Sequence, residues 1–303
     1  MNAPSVTILD GGMGRELNRR NAPFQQPEWS ALAMMQAPEI VKEVHHDFIE
    51  SGARVIATNS YSLVPFHIGE EVFAEQGYSL AELSGEVARQ AAAESKHNVL
   101  VAGSLPPLFG SYRADLFRAD RVEEVATPLI QALNNNVDVW LNETQCLVEE
   151  VKAVKSLVDK HDSESKPFWV SFTLEDSEPT IEPQLRSGEL VREAIKAMVD
   201  IKVAAILFNC SQPEIIGEAI KITRDILAEL GCDTIEIGAY ANAFPPQPKE
   251  ATANDGLDEL REDLSPPAYL DWVKHWVADG ATLVGGCCGI GPEHIEAMSN
   301  ELA

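Results

Sequence analysis

Residues 203–231 read VAAILFNCSQPEIIGEAIKITRDILAELG. The first seven, Val203–Asn209, are apolar almost without interruption. Such a run describes a strand covered on both faces rather than one with a wet side. A stretch of helical spacing follows a few residues later and stops at Gly231, a residue that ends helices at low steric cost. One strand buried on both faces, then one helix, is the repeating unit of an α/β fold.

The same unit recurs along the chain. Strand-like runs are read at Ser5–Leu9, Ala53–Asn59, Asn98–Ser104, Val137–Glu143, Phe168–Leu174, Val203–Asn209, Thr234–Tyr240 and Ala281–Gly286. Helical patterns lie between them. PEIVKEVHHDFIESG places Ile40, Val41, Val44, Phe48 and Ile49 on one face, and LVEEVKAVKSLVDKH places Val148, Val151, Val154 and Val158 on a stripe. PPAYLDWVKHWVADG carries Tyr269, Trp272, Val273 and Trp276, which read as core packing. Eight strands alternating with helices predict a (β/α)8 TIM barrel, one domain over residues 1–303. An open doubly wound sheet is the competing architecture. Its phosphate loop would show the G-x-G-x-x-G spacing after the first strand, and DGGMGREL lacks it. One segment breaks the rhythm: about 243–267, rich in Pro, Asp and Glu, reads as a long loop, either a lid at the strand ends or a plain insertion.

Composition narrows the functional classes. The 303 residues carry 48 acidic and 23 basic side chains, a net charge of −25. Nucleic-acid backbones demand a basic surface, so a nucleic-acid partner is not expected. No run of eighteen apolar residues appears, so a membrane partner is not expected either. The opening MNAPSVTILDGG lacks the basic and apolar regions of a signal peptide. Five cysteines without an export signal argue for reduced thiols and a cytoplasmic location. The expected partners are small molecules, and no feature of the sequence fixes an oligomeric state.

In a barrel of this kind the chemistry gathers where strands end. The first strand ends in Asp10, Gly11 and Gly12, and the fourth in Glu143. The sixth ends in Asn209 and Cys210, and the eighth in Cys287 and Cys288. Three thiols therefore converge on one face. They can hold zinc tetrahedrally with one position open, the arrangement of a catalytic rather than a structural site. Gly285, Gly286 and Gly289 would let the backbone turn so that adjacent sulfurs face one ion. The same residues also fit buried small side chains, a vicinal disulfide or a zinc-free redox pair.

GGCCGIGPEHI, together with FNC, LDGGMGREL, NETQCLVEE and GSLPPLFGSY, resembles the homocysteine S-methyltransferases, from Asp10 to Ile295. These are zinc-dependent barrels that include betaine– and S-methylmethionine–homocysteine methyltransferases. The resemblance implies that Cys210, Cys287 and Cys288 hold one Zn2+ per chain. It implies that Asp10 and Glu143 face the amino group of homocysteine, with the backbone around Gly11 and Gly12 near its carboxylate. Trp29 and Tyr61 resemble aromatic positions on the methyl-donor side, and Tyr112 and Phe109 can add to that wall. The implied reaction moves a methyl group from a cationic donor to the homocysteine thiol and yields methionine. S-methylmethionine or S-adenosylmethionine is the expected donor, and betaine the second. SLPPLFGSYRAD and ETQC depart from the family wording, which leaves the donor open, as it leaves another thiol or selenol, such as selenocysteine, as acceptor. No cobalamin- or folate-binding segment is expected.

Overall fold

A computed structural model describes residues 5–178, 180–248 and 259–303. Eight strands appear where eight were expected: β1 Thr7–Ile8, β2 Val55–Ala57, β3 Leu100–Leu105, β4 Val139–Gln145, β5 Phe168–Phe172, β6 Ala205–Asn209, β7 Glu236–Tyr240 and β8 Leu283–Val284. All pair in parallel, in the order β1-β8-β7-β6-β5-β4-β3-β2. A parallel bridge from Leu9 to Val55, and the Arg54 N–H donating to the Ile8 carbonyl at 2.8 Å, join β1 to β2 and close the barrel.

The helices before β3 are α1 Met13–Arg19, α2 Ala31–Gln36, α3 Pro38–Glu50, α4 Pro65–Ile68 and α5 Glu70–Glu94. The rest are α6 Val122–Leu133, α7 Val148–His161, α8 Val191–Asp200, α9 Pro213–Leu230, α10 Pro266–Asp279 and α11 Pro292–Leu302. Sequence patterning missed α1, α2, α4, α6, α8 and α11, of which the first three are short. The long segment after β7 ends at Pro266, where α10 begins. Its middle lies outside the described residues.

Alternation along each strand divides the apolar residues between two cores. In β6, Ala205 and Leu207 point into the barrel, where they meet Leu9, Val55, Val139, Leu141, Trp169 and Leu283. Ile206 and Phe208 point outward into the layer shared with the helices. This is why the strand reads as continuously apolar: both faces are dry. The stripe Val148, Val151, Val154 and Val158 is buried against that outer layer, as are Tyr269, Val273 and Trp276. Gly231 ends α9 in the left-handed conformation, φ 66°, as its place in the sequence predicts. None of the described helices is long and apolar enough to cross a membrane.

Candidate active site

A cavity of about 220 Å³ opens at the C-terminal ends of the strands. Its floor is the inner barrel layer, including Leu9, Val55, Leu141 and Trp169. Asp10, Gly11, Gly12, Trp29, Tyr61, Tyr112, Glu143, Cys210, Cys287 and Cys288 all line it. Phe109 does not; it lines a shallow surface depression with Phe66 and Leu116.

The three thiols sit at the ends of β6 and β8. Their sulfurs lie within 4.8 Å of one another, and those of Cys287 and Cys210 are 3.2 Å apart. A tetrahedral ion with Zn–S bonds of about 2.3 Å sets its ligand sulfurs about 3.8 Å apart, so this spacing fits the ion with only small adjustments. Among the described residues it is the one such cluster of three. Crowding spreads the acidities of the thiols. Hydrogen bonds to Cys210 and Cys288, then burial, hold Cys287 well above the ordinary thiol range. Hydrogen bonds from Cys210 and Cys287 pull Cys288 well below it.

The turn that aims the two adjacent cysteines depends on Gly289, whose φ of 87° a side chain would strain. Gly12 matters through close approach: a Cβ there would stand 2.6 Å from the Cys287 carbonyl oxygen. Its N–H donates to the Ile290 carbonyl at 2.9 Å, tying the first strand's end to the cysteine turn. Gly285 and Gly286 keep negative φ and serve packing rather than the turn itself.

Both carboxylates are held in fixed poses. Asp10 Oδ2 accepts the Ala57 N–H at 2.8 Å. Glu143 accepts hydroxyl hydrogen bonds from Ser104 on one oxygen and from Tyr240, at 3.1 Å, on the other. Burial raises the Asp10 pKa to about 8 and that of Glu143 to about 7. In a pocket without a counter-ion, then, both tend toward the protonated form.

Sequence reasoning named Asn209 only as a strand-end residue and Tyr269 only as core packing, and missed how they hold these residues. Asn209 Oδ1 accepts from the Thr144 N–H at 3.0 Å and from Ser171 Oγ at 2.7 Å, and its Nδ2 donates to Thr144 Oγ1 at 2.8 Å. Tyr269 donates to the Gly285 carbonyl at 2.8 Å and accepts the Ala241 N–H at 3.0 Å, fastening β7 to the cysteine strand. Arg15 lines the cavity, its guanidinium 5.4 Å from the Phe244 ring centroid. Trp29, Tyr112, Thr144 and Cys210 all have positive φ, between 50° and 69°. Four cavity-lining residues in a conformation that side chains disfavour mark a site whose geometry the surrounding fold imposes.

Barrel and site together define an architectural class: a parallel eight-stranded barrel with three thiols and two carboxylates at the strand ends. The chain belongs to the homocysteine S-methyltransferase family, whose model matches residues 7–302. It is 29% identical to a homocysteine S-methyltransferase of Escherichia coli strain K12, over 97% of this chain and 94% of that one. It is 27% identical to a selenocysteine methyltransferase of Astragalus bisulcatus, over 98% and 92%. The metallated form of the Escherichia coli homocysteine methyltransferase MmuM superposes with a TM-score of 0.77 at 27% identity, over 98% of this chain and 96% of that one.

Proposed function

We propose that the chain methylates the thiol of L-homocysteine in a zinc-dependent reaction, taking the methyl group from a cationic donor. The observation that carries this reading is the meeting of three sulfurs within 4.8 Å on the floor of a cavity walled by aromatic rings. Cys210, Cys287 and Cys288 would hold the ion. Bound there, zinc would supply Lewis-acid activation of a thiol that is otherwise mostly protonated at neutral pH.

The remaining work falls to the chain's own groups. Asp10 and Glu143 take the acceptor's ammonium, and its charge draws both carboxyls into the ionised form. Ser104 and Tyr240 keep Glu143 aimed, so the acceptor is oriented as well as bound. Phe24, Trp29, Tyr61 and Phe244 present ring faces and edges to the donor side, where a sulfonium or quaternary ammonium is favoured. Trp29 is braced edge-on by Phe24 at 5.6 Å, and Tyr61 is tied to Ser111 at 2.6 Å. An inner layer of Leu and Trp excludes water beneath the reacting sulfur. S-methylmethionine and S-adenosylmethionine are the first donors in this reading and betaine the second. The described ends of the segment after β7 rim the same face: Phe244 and Gln247 line the cavity, and Leu260 packs at Gly289. Five free cysteines suit a reducing compartment such as the cytoplasm.

Selenocysteine is the second acceptor, favoured by the selenocysteine methyltransferase among the relatives. The test is to load the purified chain with zinc and incubate homocysteine or selenocysteine with each donor in turn. Methionine from homocysteine plus a sulfonium donor is the expected product. Methylation of selenocysteine alone reassigns the acceptor, and no methylated product from any pair overturns the proposal.

A further inference from the structure

Tyr112 lines the cavity, and its hydroxyl is turned toward the cysteine cluster. The Oη donates to Cys210 Sγ at 2.9 Å. The residue holds φ 69° to reach this pose, and the Arg186 guanidinium covers its ring at 4.7 Å from the centroid. Arg186 is itself fixed on several sides. Its Nη2 donates to Asp176 Oδ1 at 3.0 Å and to the Gln247 carbonyl at 3.0 Å, and its Nη1 donates to the Pro248 carbonyl at 3.3 Å. Asp176 Oδ2 in turn accepts the N–H of Gln212, two residues beyond Cys210, at 3.1 Å. The side chains of Arg186 and Asp176 are 2% and 1% exposed.

A buried ion pair is a poor source of stability, because desolvation offsets most of the attraction. This one joins the loops after β3, β5 and β7 to the end of β6, and its guanidinium plane presses the tyrosine onto a ligand sulfur. Arg186 does not line the cavity, so direct contact with a substrate is not its task. An O–H donor on a metal-bound thiolate withdraws electron density from the sulfur and fixes the direction of its lone pairs. Outer groups of this kind tune metal sites and orient their ligands. We propose that Tyr112, clamped by Arg186, is a positioning residue for the Cys210 sulfur, setting both its direction and its electron donation as a metal ligand. The inference rests on the metal-binding reading above.

Cobalt(II) replaces zinc in thiolate sites and reports on them through sulfur-to-metal charge-transfer absorption. The whole chain would be loaded with cobalt and compared with Tyr112→Phe at equal occupancy. Loss of the O–H donor raises the sulfur lone-pair energy, so the band should move to longer wavelength while the metal stoichiometry stays at one. Arg186→Met combined with Asp176→Asn removes the clamp without stranding either charge. That pair should shift the band in the same direction, and adding Tyr112→Phe to it should shift it little further. A Tyr112→Phe band that coincides with the wild type overturns the proposal, as do shifts from the clamp and the tyrosine that simply add. A wild type that takes up no cobalt or zinc fails the metal reading itself, and this inference with it. The two failures are therefore told apart by the wild-type spectrum alone.

Discussion

At the scale of single residues the site is a set of buried groups waiting for charge. Cys210, Cys287 and Cys288 supply all three sulfurs of the proposed metal site, so replacing any one by Ser should abolish metal binding and turnover together. Metal analysis of the purified variant beside a methionine assay checks this, and a metal-free variant with full turnover would refute it. Asp10 and Glu143 have pKa values raised to about 8 and 7 by burial, and an ammonium binds their ionised forms. Acceptor affinity should therefore fall as pH drops from about 8 to 6, with protons released on binding near neutral pH. Calorimetry in two buffers of different ionisation heat measures that release; affinity flat across the range would sink the assignment. Glu143→Gln removes the charge and keeps an acceptor for one hydroxyl, while the other hydroxyl must turn to accept from the amide NH2. It should weaken acceptor binding by about 1.5–3 kcal/mol, roughly ten- to a hundredfold in Kd, with metal content unchanged. The meeting of the three thiols was legible because strand ends in a barrel converge, whereas Asp10 and Glu143 read alone as a turn residue and a strand-end charge and were singled out only by the family resemblance. Their supports were not legible. Ser104, Asn209 and Tyr240 look like ordinary strand residues until the folded sheet brings them within reach of Glu143 and Thr144. The positive φ of Cys210 and Thr144 likewise belongs to tertiary structure, which overrides what either residue prefers locally.

At the scale of elements, α3 illustrates both what periodicity reveals and what it hides. Its apolar face, Val41, Val44, Phe48 and Ile49, is buried as the 3.6-residue spacing predicts. The same spacing carries His45 into the core, where neither ring nitrogen has a hydrogen-bond partner. Burial, with a smaller contribution from His46, lowers its pKa from 6.5 to about 3. The sign of the consequence follows. The unfolded chain takes up a proton near pH 6.5 and the native chain does not until about 3, so stability is full above 6.5 and drains as pH falls toward 3. His45→Leu removes both the titration and the unpaired nitrogens. It should raise the thermal midpoint, and by a growing margin as pH is lowered from 7 to 5. Melting curves at several pH values decide; a margin that does not grow excludes His45 as a source of acid sensitivity. Long elements such as α7 and α9 were readable because many turns repeat the same stripe. Short ones such as α1 and α4 were not, since one or two turns leave too few apolar positions to establish a period.

At the scale of the whole molecule, the eight-strand rhythm was legible because each strand is dry on both faces, as in any parallel α/β sheet; closure was read from the count of eight strands and the missing phosphate-loop spacing. Which strands meet at the seam is a matter of pairing, and there the contact is a bridge, Leu9 to Val55, rather than a full ladder. The molecular charge bears on the unsettled methyl donor. A net charge of −25 surrounds a cavity whose candidate substrates differ in net charge. S-methylmethionine and S-adenosylmethionine carry one net positive charge, whereas betaine is a zwitterion with none. A field of this sign raises the encounter rate of a cation and leaves a neutral zwitterion nearly unaffected, and salt screens it over about 10 Å at 0.1 M. With a sulfonium donor, kcat/KM for the donor should therefore fall several-fold as ionic strength rises from about 0.02 to 0.3 M. The value for zwitterionic homocysteine should change little over the same range, which controls for any general effect of salt on the enzyme. Screening should also relieve the self-repulsion of the native state and raise its melting temperature, so a loss of rate cannot be put down to unfolding. If donor kcat/KM is independent of salt while methionine is still formed, the bulk field plays no part in donor capture. Selection of the cation would then lie wholly in short-range contacts with rings such as Trp29 and Tyr61.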